Sequence, residues 1–416
     1  MKDLSLTGKS ELKYILPLII ISLIPRIGYF LFELYSFDGL PVAYDTEWYL
    51  EHAYAFLASL KVDMDVNGIF YLGYYSLLAL LLGIFKSSTV IVLFQMIVNA
   101  LTVVLVYKIS HALFNRRTAV LAGIIYAITF QIIYWSIFII TDSFFISLLL
   151  LTVYLLIMSY KSESAMYRYL FVACSLYMLI FRPTGLVTLT FIFVYIMINL
   201  NYRGLKDYWI GKRLYLLLAG LVIILTAGLL IIKSGLLDSL IYSLEGHLIW
   251  LLSENYATGR LFDIETPYDY KYEAQMDTNY FNNFALSFFI NNWNHILVLY
   301  ARRAMTFLGV WVWKIGDADL LIKLKYLLPI ALGGLLGIAG ISSIVRNRIL
   351  KETSILFLVV LSIQFFCLIF FMDSAYRYRV PSLVFLGILV AYGIDRVIDF
   401  GESFFDNKDS HIKVTL

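Results

Sequence analysis

Ten stretches of this chain are apolar and long enough to cross a bilayer, at about 14–34, 89–109, 118–138, 143–160, 167–181, 184–200, 214–233, 326–345, 353–372 and 380–398. In hydrocarbon each backbone N–H and C=O must find its partner within the chain, so such runs fold as helices. The fold class is therefore an all-α polytopic membrane protein. Composition agrees: 61% of residues are hydrophobic, 15% are charged and the mean hydropathy is +0.82, which describes no soluble domain. The first run has a basic flank but no small-residue cleavage site, and is expected to be a retained span. Cys174 and Cys367 lie far apart inside apolar runs and read as small hydrophobes, not a disulfide or metal pair. No basic cluster interleaved with exposed aromatics supports nucleic-acid binding.

An eleventh run, FYLGYYSLLALLLGIF at 70–85, is short for a span and decides the topology. Short cytoplasmic loops collect Lys and Arg. The basic loops are HALFNRRT, with Arg116 and Arg117; YKSESAMYR, with Lys161 and Arg168; NYRGLKDYWIGKR, with Arg203, Lys206, Lys212 and Arg213; and RNRILK, with Arg346, Arg348 and Lys351. All four share one side only if 70–85 does not cross, so that run is expected to be re-entrant or interfacial, with both termini cytoplasmic. Residues 35–88, Thr141-Asp142, Phe181-Arg182-Pro183, the stretch 234–325 and MDSAYRYR at 372–379 then share the external face. The resulting organisation is an N-terminal membrane module (1–233, with 35–88 as first external loop), a large external loop (234–325), and C-terminal spans with a short cytoplasmic tail (326–416).

This sorting gathers Asp45, Glu47, Asp142, Arg182, Arg377 and Arg379 at one water–membrane boundary, while Arg26 is nearly the only charge within a span. A channel or ion-coupled carrier more often places ionisable groups or broken helices near the midplane, with repeated halves. No such repeat is visible, and an interfacial active site fits better.

Four segments carry a resemblance: YDTEWYLEHA after the first span, LFNRRTAVLAGIIYAITFQIIYWSIFIITDSFF, YLFVACSLYMLIFRPTGLVTL, and YRYRVPSLVFLGILVAYG before the last span. In this order they resemble the GT-C-fold glycosyltransferases that use polyprenyl-phosphate sugars, particularly bacterial relatives of protein O-mannosyltransferases and of lipid A aminoarabinose transferases. The resemblance implies a GT-C-like bundle of about ten spans with external juxtamembrane helices. It also implies a polyprenyl-phosphate sugar donor and a protein, glycolipid or polysaccharide acceptor, with inverting transfer of a hexosyl or pentosyl group on the external face. Asp45 matches the family's catalytic aspartate, and Asp142 its acidic residue opening the fourth span.

Such a transfer needs one base for the acceptor proton and cations for the departing phosphate, which leaves without a general acid. Asp45 is the expected base, with Glu47 as partner or ligand; solvation of an external loop or a helix start is the bland alternative. Trp48 and Tyr49 could stack on sugar or lipid, although interfacial aromatics form a belt in any membrane protein. Asp142 could shape the pocket or cap the following helix. Arg182, Arg377 and Arg379 suit a phosphate through their paired donors; snorkelling, or pairing with Asp373, is the alternative. Arg26 is expected to pair with an external carboxylate or face a watery cavity.

Within 234–325, ENYATGRLFDIETPYDYKYEAQMDTNYFNN has the Tyr, Asp and Asn content of a carbohydrate-recognising loop, or of any soluble loop. NNWNHILVLYARRAMTFLGVWVWKIG is expected to be an interfacial helix, basic on one face and aromatic on the other. His52, His247 and His295 read as solvated loop histidines. Asp45 and Glu47 offer oxygen ligands for magnesium or manganese, but two carboxylates make a weak site, and no obligatory metal is expected. The rival readings are a polymerase or ligase acting on pyrophosphate-linked oligosaccharides, and a flippase or transporter of lipid-linked sugars.

Overall fold

The computed structural model describes residues 9–36, 39–43, 45–60, 62, 65–199, 236–261, 269–276, 278–306, 320–370 and 377–413. These fold into helices, and among them the only extended pairing is an isolated bridge between Gly259 and Tyr270. Helices α1 (Lys9–Ser36), α9 (Thr141–Lys161), α15 (Leu320–Arg346) and α16 (Leu350–Phe370) each contain a stretch long and apolar enough to cross a membrane. So does the nearly continuous pair α5 (Ser88–Leu101) and α6 (Val103–Leu113). Shorter apolar helices are α4 (Leu72–Phe85), α10 (Ala165–Leu179) and α11 (Pro183–Asn199). The last expected span, 380–398, opens the long helix α17 (Val380–Lys413). The expected span at 214–233 and the basic loop from Arg203 to Arg213 lie outside the described residues.

The expected span at 118–138 is not one helix. It divides into α7 (Arg116–Ile128) and α8 (Phe130–Trp135) at Thr129, whose hydroxyl donates to the Ile125 carbonyl at 2.5 Å. Beyond Trp135 the chain runs irregularly through residues 136–140 until α9 begins. Irregular backbone in an apolar bundle leaves carbonyls to be satisfied by side chains. Gln95 Nε2 donates to the carbonyls of Ser136 at 3.1 Å and Phe138 at 2.6 Å, and Thr46 Oγ1 donates to that of Ile139 at 3.2 Å. Arg26 serves the same kind of need. It is fully buried and donates to Asn99 Oδ1 at 2.8 Å, to the Ser22 carbonyl at 2.6 Å and to the Ala127 carbonyl at 3.4 Å. In place of a carboxylate partner, Arg26 has the Asn99 amide, the Ser22 carbonyl of its own helix and the Ala127 carbonyl near the end of α7.

Helix α4 stays at one end of the bundle. Its Gly73 N–H donates to the Ile180 carbonyl at 2.6 Å, and a Cβ on Gly73 would stand 3.0 Å from that oxygen. It packs along α2 (Thr46–Ser59), with the rings of Tyr49 and Tyr74 4.8 Å apart at one end and Leu57 against Gly83 at the other. Seven residues into α5, Gln95 already reaches the segment before Asp142. At about 1.5 Å per residue, the 14 residues of α4 span roughly 21 Å, short of the ~30 Å hydrocarbon core. At the opposite end of the bundle, Arg117 pairs with Asp399 at 2.8 Å and Asn115 donates to Asp395 at 2.6 Å, tying α7 to α17.

The stretch after 235 supplies α12 (Leu236–Trp250), a π-helical turn at Leu251–Tyr256, α13 (Phe284–Asn291) and α14 (Trp293–Thr306). A small separate core of Leu252, Tyr256, Leu261, Phe288, Ile296 and Leu299 holds this unit together.

Candidate active site

Three separate turns place charged groups at the α4 end of the bundle. The first leads from α1 into α2, and Asp45 stands immediately before Thr46, the first residue of α2. The second is the irregular segment that starts α9, with Asp142 in its first turn, where the helix dipole favours a negative charge. The third joins α10 to α11. There Pro183 opens the helix and Arg182 precedes it, its carbonyl accepting from Gly185 N at 2.8 Å.

A fourth segment, just before α17, brings Arg377, and the four side chains form one chain of ion pairs. Arg182 Nη1 donates to Asp142 Oδ1 at 2.6 Å, Arg377 Nε to Asp142 Oδ2 at 2.7 Å, and Arg377 Nη1 to Asp45 Oδ2 at 2.6 Å. Two carboxylates and two guanidinium groups cancel in charge. Asp142 is completely buried and gives both oxygens to arginines, so it does not cap α9; the residue before the helix, Ile140, supplies no side-chain cap either. The alternative of pairing with Asp373 falls on a residue outside the described ones.

Burial works against the charge on Arg377, but the Asp142 carboxylate, with Tyr378 and Asp45, raises its proton affinity above the ordinary arginine value. Arg182 behaves alike: desolvation opposes its charge and Asp142 overcomes it. Both stay cationic at any physiological pH. Tyr378 lies against both guanidinium groups, with its ring 4.7 Å from Arg182 and 5.6 Å from Arg377; burial raises its pKa, so it remains a neutral phenol.

Asp45 differs from Asp142 in being accessible, with its side chain 37% exposed. It lines a cavity of about 1150 Å³ together with Trp48, Tyr49, Tyr71 and Tyr378. The rest of the wall is largely apolar: Leu186 and Val187 from α11, Phe366 and Phe370 from α16, and Leu244, Leu248 and Trp250 from α12. Asn67 from the first loop and Glu245 and His247 from α12 add polar groups to it; the two on α12 escape sequence reasoning because that helix looks like any loop helix. The Asn67 amide meets His247 Nε2 at 3.3 Å, and Ser243 Oγ accepts from Val66 N at 3.2 Å, so α12 is tethered to the first loop at this wall.

Of the residues expected at the site, Asp45, Asp142, Arg182 and Arg377 come together, with Trp48 and Tyr49 on the cavity wall. Glu47 does not join them: it is exposed and is absent from both the ion-pair chain and the cavity lining. Arg379 is buried just beyond, where its carbonyl accepts from Ser382 Oγ at 2.6 Å as α17 begins, and it does not line the cavity. For a divalent cation, Asp45 is already held by Arg377, and no group of three His, Cys, Asp or Glu side chains among the described residues could hold a metal ion. The expectation that His295 is solvated fails: it is buried, accepts from the Tyr270 hydroxyl at 3.0 Å and donates to the Tyr256 carbonyl at 2.8 Å. His52 stacks on Trp48 with centroids 3.8 Å apart, and His247 stays exposed.

The family model for dolichyl-phosphate-mannose-protein mannosyltransferases matches residues 72–232, a range that contains Asp142 and Arg182. The structure is similar to that of the Archaeoglobus fulgidus oligosaccharyltransferase crystallised in the apo form. The two share 13% sequence identity and a TM-score of 0.52, over 98% of this chain and 53% of the other. The chain thus spans about half the length of the oligosaccharyltransferase it matches. No curated protein sequence matches it.

Proposed function

We infer that this chain, which has the GT-C fold, is a membrane glycosyltransferase that moves a sugar from a polyprenyl-phosphate donor to a hydroxyl on a protein, glycolipid or polysaccharide acceptor, on the external face of the membrane. The observation that carries the reading is the accessible carboxylate of Asp45 on the wall of a large, mostly apolar cavity, held against buried arginines that no pH change within the physiological range discharges.

In this reading Asp45 takes the acceptor hydroxyl proton on its Oδ1, the oxygen not engaged by Arg377. The acceptor oxygen forms its bond to the anomeric carbon from the face opposite the phosphate. The bond between that carbon and the phosphate oxygen breaks, and the phosphate leaves with the electron pair. Arg377 meets the growing charge with its cationic guanidinium through Nη2, since Nε and Nη1 are held by Asp142 and Asp45, and Arg182 on the other Asp142 oxygen completes the pairing. Trp48 and Tyr49 offer faces for the sugar, and the apolar wall from α11, α12 and α16 suits an isoprenoid chain. Arg379, buried two residues beyond Arg377, adds positive potential for the phosphate.

The test is transfer from polyprenyl-phosphate sugars, screened donor by donor, in liposomes containing wild type, Asp45→Asn or Arg377→Lys. A labelled sugar that changes from lipid to acceptor in wild type, and in neither variant, supports the reading. Movement of lipid-linked sugar across the bilayer without a new glycosidic bond would instead establish a flippase. Transfer from pyrophosphate-linked oligosaccharides alone would establish the polymerase or ligase.

A further inference from the structure

Helices α13 and α14 follow each other across Asn292, and their burial repeats with helical period. Phe288, Asn292, His295, Ile296, Leu299 and Arg303 point inward. The opposite face carries Phe289, Ile290, Trp293, Leu297 and Val298, all exposed; Trp293 and Leu297 keep 58% and 57% of their surface. Only Asn294 interrupts this face with a polar group. A contiguous exposed apolar face of this kind marks a protein or membrane interaction surface.

Two hydrogen-bond donors show at what depth it lies. Arg303 Nη1 donates to the Leu368 carbonyl at 3.1 Å, and the Tyr256 hydroxyl donates to the Ile369 carbonyl at 2.6 Å. These carbonyls belong to the last described turn of α16. The 21 described residues of α16 cover about 31 Å, close to the thickness of the hydrocarbon core, which puts Leu368 and Ile369 near one hydrocarbon boundary. Arg303 and Tyr256 are therefore at that boundary too. The apolar face begins about one and a half turns back along α14 from Arg303, at Val298 and Leu297, and runs on to Phe289; α16 likewise exposes Leu361 and Phe365. Of the expected helix, residues 307–316 lie outside the described residues; in the described part Arg303 faces the protein and the aromatic and aliphatic side chains lie on the opposite face.

We propose that the outer face of α13 and α14, centred on Phe289, Trp293 and Leu297, is a lipid-binding surface. It is seated at the headgroup–acyl boundary of the leaflet on the active-site side, with Arg303 as the inward pin that sets its depth. This is independent of the transfer chemistry. The partner is the lipid itself: the face is uncharged, carries a tryptophan as interfacial surfaces do, and begins within two turns of the Arg303 contact to Leu368.

The test uses full-length protein with Cys174→Ser and Cys367→Ala, reconstituted in liposomes of phosphatidylcholine and phosphatidylglycerol. Spin labels are placed singly at Phe289, Trp293 and Leu297, with Leu361 as the lipid-facing control and the exposed Glu273 as the water-facing control. The expected result is a ratio of oxygen to nickel-chelate collision rates several-fold above that at Glu273 and close to that at Leu361. Labels as open to the nickel chelate as the one at Glu273 overturn the proposal. So do labels shielded from both reagents, which would put a second copy or another protein on this face. Three independent positions keep the test decisive if one variant does not fold.

Discussion

Replacing Asp142 by Asn keeps the shape of the side chain and removes its charge. What remains is Arg182, whose side chain is 2% exposed, and Arg377, at 10%. Two buried guanidinium groups are then left with only the half-exposed Asp45 as counter-ion, about 2.6 Å from one of them. Removing one partner of a buried ion pair costs about 3–5 kcal/mol, because the survivor stays desolvated and unpaired. Here the Asn side-chain oxygen can still accept one hydrogen bond, so the lower end applies, about 3 kcal/mol or a factor of roughly a hundred in the unfolding equilibrium. Reversible unfolding in mixed micelles, titrated with denaturing detergent, measures it. Arg182→Met on top of Asp142→Asn removes the charge that the first change stranded, and is expected to recover part of the loss. A single variant within about 0.5 kcal/mol of wild type, or a double variant less stable than both singles, would refute the idea that Asp142 is the buried counter-ion of this network.

Asp45→Asn, by contrast, removes a partly solvated carboxylate, so stability should change by less than about 1 kcal/mol while transfer to acceptor is lost; retained transfer removes Asp45 from the base role. Gln95→Leu strands the buried carbonyls of Ser136 and Phe138 and is expected to cost about 1–3 kcal/mol, with faster hydrogen exchange in the segment leading to Asp142; unchanged exchange there argues against Gln95 as its support. His295 has a pKa lowered by burial, so the fold favours its neutral form. The stability it lends the α13–α14 unit is present above the ordinary histidine pKa and is lost as pH falls below about 6.5. Limited proteolysis of residues 250–306 should accelerate between about pH 7.5 and 5.5 in wild type, and much less in His295→Gln. Gly393→Ala should separate α15 from α17, because the added Cβ would stand 1.8 Å from the Leu336 carbonyl; a wild-type melting profile would show that these helices can shift apart freely.

The apolar runs were legible because helix formation in lipid needs only local hydrogen bonds. The grouping of Asp45, Asp142, Arg182 and Arg377 followed from sorting loops by charge. What the sequence hid depended on partners far along the chain. Nothing local marks Thr129 as the end of α7, since the neighbouring carbonyls are served by Arg26, Gln95 and Thr46 from other helices. Glu47 and Asp45 look equivalent two positions apart, but where α2 begins the chain turns one toward Arg377 and the other toward solvent. His295 reads as a loop residue because the ring stacked on it, Tyr272, comes from a stretch with no periodicity.

The separation of Asp45 from Arg377, 332 positions, bears on how the protein is made. At about 5–20 residues per second, Asp45 leaves the ribosome roughly 20–60 s before the arginine that will hold it. Asp142 and Arg182, only 40 positions apart, can neutralise one another early and enter the bilayer as a pair. The arginine that links this pair to Asp45 arrives just before α17. A nascent chain that stalls before Arg377 therefore holds the Asp142–Arg182 pair but no ion pair joining Asp45 to it, so the site is assembled only after residues 46–376 have been made.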